Sequence, residues 1–374
     1  MSWNIVASFP EPTDGASSAF SPQGSWIAYG DESGDVNVYS AGDWVHQAEL
    51  SNSSGSYIYD IAFSQNENYL VFTESNEPNV YTTGDWVEQD PYFAYISSGD
   101  EIYSLDFSAN GNWLVVGIIE GNDYTDEAYV YESGTWNNVA QFNSSSEGGQ
   151  EAAFSPDNNY LACANGNTGE IYIYNTSDWS EETVIADGDS NPRGIAFSPK
   201  SDYLAVSEGT SEDVKIYETQ TWTVEATLTN GTNAPRQVTF DPDGDWLAYG
   251  KTGGTYVFRV SDWSFEEQLA TASGTAYSRF SPNGDYIIEG YISFESTRAY
   301  VREVADPLNQ VGTIRIDNGS IFDVPVYSLD TVQDDWLRVR LEDGTVGALM
   351  PLGASGEQLR VRDSDGSVWG IKTE

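Results

Sequence analysis

The chain has 374 residues, with 59 Asp and Glu against 15 Lys and Arg, for a formal net charge of −44. It holds one Cys and one His, but 12 Trp, 24 Tyr and 15 Phe. The charge excludes nonspecific binding to nucleic-acid phosphates, the single Cys excludes a disulfide framework or Cys-rich zinc site, the single His excludes a His-cluster metal site and disfavours His-based catalysis, and the aromatic content argues against disorder.

The chain opens Met1-Ser2-Trp3-Asn4-Ile5-Val6, with no basic region, apolar core or cleavage site of an export signal. A strand is expected at 2–9. Then a Phe closes an apolar strand seven times, at Phe20, Phe63, Phe107, Phe154, Phe197, Phe240 and Phe280, 40–47 residues apart. Such a period fits one propeller blade per repeat. A Ser-Pro-x-Gly/Asn type of turn usually follows. It leads to a second apolar strand such as Trp26-Ile27-Ala28-Tyr29 or Trp246-Leu247-Ala248-Tyr249. A third, alternating strand ends in an aromatic residue, as in Val36-Asn37-Val38-Tyr39 and Val214-Lys215-Ile216-Tyr217. A tight turn and a Trp then open a fourth strand at Trp44, Trp86, Trp136, Trp179, Trp222 and Trp263. Period-2 alternation bounded by Gly, Asn, Asp and Pro is strand punctuation, and no amphipathic helix is predicted.

Six such Trp residues follow seven Phe markers, so the seventh blade lacks its fourth strand. Ser2-Trp3-Asn4-Ile5-Val6-Ala7-Ser8-Phe9 matches Asp43-Trp44-Val45-His46-Gln47-Ala48-Glu49-Leu50. The N-terminal strand is therefore expected to complete the last blade, closing the ring and removing two sheet edges. The predicted fold is all-β, a seven-bladed β-propeller over 1–304 followed by a small β module over 305–374. Residues 1–304 resemble β-propellers of the WD-repeat and YVTN-like kind, through segments such as Phe280-Ser281-Pro282-Asn283-Gly284-Asp285. Tyr-x replaces the Trp-Asp that ends the third strand in WD repeats, and the Gly-His dipeptide is absent. The Asp-His-Ser/Thr-Trp network of typical WD repeats is therefore not expected.

Beyond Ala305 three copies of a second pattern follow, at Arg315-Ile316-Asp317-Asn318-Gly319-Ser320-Ile321, Arg340-Leu341-Glu342-Asp343-Gly344-Thr345-Val346 and Arg362-Asp363-Ser364-Asp365-Gly366-Ser367-Val368. Asn-Gly and Asp-Gly between alternating strands signal hairpins, so a module of about six strands is predicted. Arg315, Arg338, Arg340, Arg360 and Arg362 either pair across strands with nearby acids or form a docking face for an acidic neighbour. Asp323-Val324-Pro325-Val326-Tyr327 and Leu337-Arg338-Val339-Arg340-Leu341 look similar to short β modules in structural proteins of haloarchaeal tailed viruses.

In a propeller the loops entering the first strands share one face, here called the top. The chain leaves blade seven on the opposite face, where the C-terminal module is expected to anchor. Four residues before the markers stand Ala16, Tyr59, Tyr103, Gln150, Arg193, Arg236 and Ala276. Tyr59, Tyr103, Gln150, Arg193 and Arg236 would make a recognition mouth, since rigid aromatics and Arg are favoured anchors. Arg could grip a carboxylate or a sulfated or uronic-acid sugar. The alternative is that these residues plug the channel. The loop from Glu120 to Glu127 is either a recognition insertion on the same face or a solvated acidic loop.

His46 is expected exposed or packed beside the next blade, and Cys163 as a core thiol. Nucleophile-elbow, phosphate-loop and His-Glu-x-x-His motifs are absent. Asp187-Gly188-Asp189 and Asp123 with Asp126-Glu127 could hold Ca²⁺ or Mg²⁺ weakly but lack the spacing of a known loop. No cofactor is predicted. With only four Lys and acids spread along the chain, the composition resembles that of extreme halophiles. Self-repulsion of such a surface is screened at molar salt.

Three functional readings follow. The first is a non-enzymatic virion structural protein of a haloarchaeal tailed virus, anchored by its C-terminal module. Its displayed propeller would contact host surface glycoprotein, glycan or other virion proteins, and the C-terminal module could also make a homo-oligomer. The second is a cytoplasmic propeller scaffold. The third is a propeller hydrolase or lyase, which requires a carboxylate cluster with raised pKa values in the central channel. Nucleic-acid partners and membrane insertion are not expected.

Overall fold

The structure, a computed structural model, describes residues 5–9, 17–30, 34–51, 58–74, 77–93, 96, 101–119, 126–143, 151–166, 168–186, 192–230, 233–269, 275–292 and 299–303, and the strands within 311–371. It divides into two compact units, Ile5–Glu303 and, chiefly, Val304–Glu374.

The first unit is a seven-bladed β-propeller of four-stranded antiparallel blades. Blade 1 runs through Ser17–Phe20, Trp26–Gly30, Asp35–Ser40 and His46–Ser51. The innermost strands of blades 2 to 7 are Ile58–Phe63, Glu101–Phe107, Glu151–Phe154, Pro192–Phe197, Val238–Phe240 and Thr275–Phe280. Each packs against the next, and the seventh packs against the first. Ile5–Phe9 supplies the outer strand of blade 7, antiparallel to Ala299–Glu303, with Ile5 opposite Arg302 and Phe9 opposite Ala299. The expected closure by the N-terminal strand is the one observed. The core lies between blades, where the second strands are apolar on both faces; Ile27, Leu70, Leu114, Leu161, Leu204 and Leu247 are all fully buried.

The turn after each marker Phe is held the same way seven times. The Ser21 hydroxyl accepts from the Trp26 N–H at 2.9 Å, and Ser64, Ser108, Ser155, Ser198 and Ser281 do the same with the residue five ahead. In blade 6 the Asp241 carboxylate takes this role with the Trp246 N–H at 2.7 Å. A left-handed residue follows, which favours Gly. Gly24, Gly111, Gly244 and Gly284 satisfy it, but Glu67, Asn158 and Ser201 stand there in three blades, at φ 53, 59 and 58°. Each of those three side chains accepts a hydrogen bond from the turn of the preceding blade: Glu67 from the Gln23 N–H, Asn158 from the Asn110 N–H and Ser201 from the Asp157 N–H. The inter-blade bond offsets the backbone cost.

The recurrent Trp residues do not open the fourth strands, as expected above. Trp44, Trp86, Trp136, Trp179, Trp222 and Trp263 all sit in the preceding turn at φ 53–61°. The fourth strands begin later, at His46, Glu88, Asn138, Glu181, Thr223 and Phe265. From the turn each ring meets, edge to face, the aromatic residue opening the second strand of the preceding blade. The pairs are Trp44–Tyr286, Trp86–Trp26, Trp136–Tyr69, Trp179–Trp113, Trp222–Tyr160 and Trp263–Tyr203, at 5.1–5.8 Å. Edge-to-face contact suits the ring quadrupoles.

The second unit contains a hairpin, Val311–Arg315 with Ile321–Pro325, and a four-stranded meander of Leu337–Arg340, Val346–Met350, Leu359–Arg362 and Val368–Ile371. Arg315 faces Ile321, Arg340 faces Val346 and Arg362 faces Val368 across the three predicted hairpins. In the meander Arg338 and Arg362 both stand opposite Ala348, and Arg360 opposite Met350. With Arg340 two residues from Arg338, these four register positions belong to one face of the sheet.

Candidate functional site

The innermost strands surround a central cavity of about 220 Å³. Alternation puts the first and third residues before each marker Phe on the channel side. The third-before column reads Ser17, Asp60, Ser104, Glu151, Gly194, Gln237 and Tyr277, and the first-before column includes Asp106 and Arg279. All of these except Ser17 line the cavity. In three blades the register shifts at the upstream end of this strand, between Ile58 and Ile61, Ile102 and Ser104, and Pro192 and Gly194. Such bulges re-aim side chains. Here they bring Tyr59, Tyr103 and Arg193 into the cavity wall too.

Asp60 is the hub of the channel. Its Oδ1 accepts from Ser17 Oγ (3.2 Å), the Ile61 N–H (2.9 Å) and Arg279 Nη2 (3.1 Å), and its Oδ2 accepts from the Leu105 N–H (2.9 Å). One carboxylate thus ties blades 1, 2, 3 and 7. With the Gln237 amide turned oxygen-first, that oxygen accepts from Arg279 Nη2 (2.6 Å) and Nε (3.0 Å), adding blade 6. Asp106 Oδ2 accepts from the Phe154 N–H (2.7 Å) and Ser104 Oγ from the Ala152 N–H (3.1 Å), joining blades 3 and 4.

Two further carboxyl groups line this wall without a cation of their own. Burial raises Asp106 to about 7, opposed by its bond from Phe154 and by the charge of Arg279. Burial raises Glu151 to about 8, with the charge of Asp60 adding to the effect. Both keep some contact with the channel, yet protein desolvates them. The cluster that the hydrolase reading required is therefore present. Carboxyls raised to about 7 and 8 can give or take a proton near neutral pH. Asp60 is occupied by four donors, and the other two carboxyls are both held toward the neutral form.

Blades 5 and 6 carry the cations Arg193 and Arg236. Arg236 Nη1 donates to the Tyr277 hydroxyl at 3.1 Å and its guanidinium lies 5.7 Å from that ring's centre. Arg193 is pushed below its usual value, first by burial and then by the charge of Arg236. Among the described residues Arg193 has no hydrogen bond or ion pair. Tyr59 and Tyr103 form a tilted ring pair at 4.8 Å and 33° on the side of blades 2 and 3, and the Tyr103 hydroxyl donates to Glu101 Oε2 at 3.0 Å.

Of the residues singled out in the sequence, Tyr59, Tyr103 and Arg193 share this cavity, and Arg236 adjoins it through Tyr277. Gln150, Ala16, most of the loop from Glu120 to Glu127, and Asp187-Gly188-Asp189 lie outside the described residues. The sequence reading missed Asp60, Asp106, Glu151, Tyr277 and Arg279. The alternation of the inner strands would have found them, since they fill the two columns nearer the marker Phe. Cys163 is buried and burial raises its thiol further. His46 is exposed, edge-on to Tyr39 at 5.1 Å. Among the described residues no group of three or more His, Cys, Asp or Glu could hold a metal ion, and no helix is long and apolar enough to cross a membrane.

Residues 92–125 match the family model of the WD domain, G-beta repeat. The match covers the first two strands of blade 3. With the seven-bladed ring it supports a WD-repeat type of propeller. No curated protein matches the chain.

Proposed function

We propose that this protein is a non-enzymatic scaffold for protein–protein interaction that recognises its partner at the channel mouth. The observation that carries this reading is the composition of the mouth. A tilted Tyr59–Tyr103 ring pair and the neighbouring cations Arg193 and Arg236 stand together on a protein whose formal charge is −44. Rigid aromatics and Arg anchor interfaces, and a local cationic spot on an acidic body selects for an acidic or hydroxyl-rich contact. The WD-domain match supports the same reading, and the fully occupied Asp60 argues against turnover.

The setting we propose is the particle of a haloarchaeal tailed virus. The acidic composition and the resemblance of the C-terminal module support it, with the module's Arg-bearing sheet face as the anchor. The test is density-gradient fractionation of an infected culture at molar salt, following the protein with an antibody against residues 1–304. Co-sedimentation with particles, and loss of host-cell attachment in a Tyr59→Ala/Tyr103→Ala variant, is the expected result. Recovery only in the light fractions overturns the virion setting. Unchanged partner contact in the double variant overturns the mouth as the recognition site.

A further inference from the structure

Among the described residues, the third-before column of blade 5 adds no side chain to the cross-blade bonds. Gly194 occupies that blade's third-before position, so no side chain reaches out from it. A Cβ there would stand 2.8 Å from the Arg236 carbonyl oxygen and 2.9 Å from Gln237 Cα. The neighbouring bulge instead brings Arg193 to the cavity wall.

Among the described residues two guanidinium groups lie here without a carboxylate of their own, Arg193 in the cavity wall and Arg236 beside it, reaching it through Tyr277. Arg236 is bonded to a neutral phenol, and Arg193 has no partner among the described residues. The third channel arginine, Arg279, is matched by Asp60 and Gln237. A cavity of about 220 Å³ lies below the roughly 300 Å³ at which drug-sized pockets begin, so its occupant is compact. The Asp106 and Glu151 carboxyls and the Tyr59–Tyr103 pair line the same cavity.

We propose that the channel binds a small polyhydroxy carboxylate, a sugar acid in free form or at the end of a glycan. Its carboxylate would be held by Arg193 and Arg236, its hydroxyls would face Asp106 and Glu151, and its C–H face would lie toward the tyrosines. An arginine fork matches a carboxylate in two parallel hydrogen bonds. Carboxyl groups held in the neutral form both donate to and accept from hydroxyls, and they add no charge to repel the anion. The proposal rests on the mouth reading above, because it uses the same Tyr59, Tyr103, Arg193 and Arg236, and it names the chemical class that this mouth takes.

The test is titration calorimetry of the full chain in 2 M KCl with D-glucuronate. D-glucose, acetate and sulfate are controls, and a glucuronate-terminated oligosaccharide is the second ligand arm. We expect 1:1 binding of glucuronate, with glucose, acetate and sulfate at least tenfold weaker. Binding of the oligosaccharide as well identifies a glycan end, and binding of the free sugar alone identifies a free metabolite. Arg193→Gln should weaken binding at least tenfold while the melting temperature holds or rises, because an unmatched cation is removed. Arg193→Lys, which keeps the charge but loses the fork, should fall between. No heat with either sugar acid, equal affinity for acetate or sulfate, or full affinity in a folded Arg193→Gln protein overturns the proposal.

Discussion

Trp44, in the last turn of blade 1, stands edge-on to Tyr286, which opens the second strand of blade 7, at 5.3 Å and 89°. The contact clasps the junction where the two ends of the propeller meet. Five other Trp residues repeat it around the ring. Each holds a left-handed backbone conformation that costs an L-residue roughly 1–2 kcal/mol. Trp44→Ala keeps that cost and loses the ring contact, whereas Trp44→Gly loses only the contact. Alanine should therefore destabilise by about 2–3 kcal/mol, and glycine by about 1 kcal/mol less. Denaturant melts of both variants at molar salt check the order. Equal loss would mean that the turn conformation contributes nothing.

Asp60 carries a different prediction. Asp60→Asn leaves the Arg279 guanidinium without its carboxylate. Breaking a buried ion pair costs about 3–5 kcal/mol, and Arg279 is a third exposed, so a loss of about 3 kcal/mol is expected. The readout is the unfolding free energy. A change under about 1 kcal/mol would show that Gln237 alone holds Arg279.

Gly194→Ala should be worse tolerated than a glycine change at an open turn. The added Cβ would lie within 3 Å of the blade 6 backbone, which cannot swing aside as a side-chain tip would. We expect roughly 2–3 kcal/mol of destabilisation, typical of overpacking, together with weaker sugar-acid binding. Gly42, with nothing within 4 Å of its Cβ position but a left-handed φ of 104°, is the control, since Gly42→Ala reports backbone strain alone.

The channel carboxyls set a pH dependence. Asp106 and Glu151 titrate in the folded protein at about 7 and 8, against about 4 in an unfolded chain. Between those values the folded state holds the extra protons. Their contribution is thus complete below about pH 4 and is lost as pH rises through 7 and 8, with a slope of roughly 1.4 kcal/mol per pH unit per group. The surrounding groups are Asp60, Arg279, Arg193, Arg236, Tyr59, Tyr103 and Tyr277. An Asp106→Asn/Glu151→Gln variant should flatten the stability profile between pH 5 and about 8. An unchanged profile would place the protons elsewhere.

Much of the ring was legible because its repeat is local. The marker Phe residues, the turn Ser residues and the match between Trp3 and Trp44 fix blade number and closure from spacing alone. The Trp residues were misplaced by two positions in five blades and by one at Trp222, because the alternation after them reads as a strand start and a left-handed Trp breaks the usual preference for Gly. Tyr59, Tyr103 and Arg193, singled out in the sequence, reach the cavity wall because bulges carry that column inward. The bond between Asp60 and Arg279 was not legible. It joins positions 219 residues apart across an opening that exists only once all seven blades are in place.

The proposed halophilic setting predicts a salt response. At 1 M the Debye length is about 3 Å, against 10 Å at 0.1 M, so repulsion within a −44 surface is progressively screened. The melting temperature should rise monotonically from 0.1 to about 2 M KCl. A maximum at low salt followed by decline would sink the setting.

The seam between Ile5–Phe9 and Ala299–Glu303 also dictates an order of events during synthesis. Ile5–Phe9 is made before every other strand of the propeller and pairs with the last of them, so it waits unpaired while the intervening blades emerge. Contacts this distant in sequence form slowly, and an exposed strand invites pairing with another chain. The interval before closure is therefore the time at which a nascent copy is most open to strand exchange with its neighbour on the same polysome.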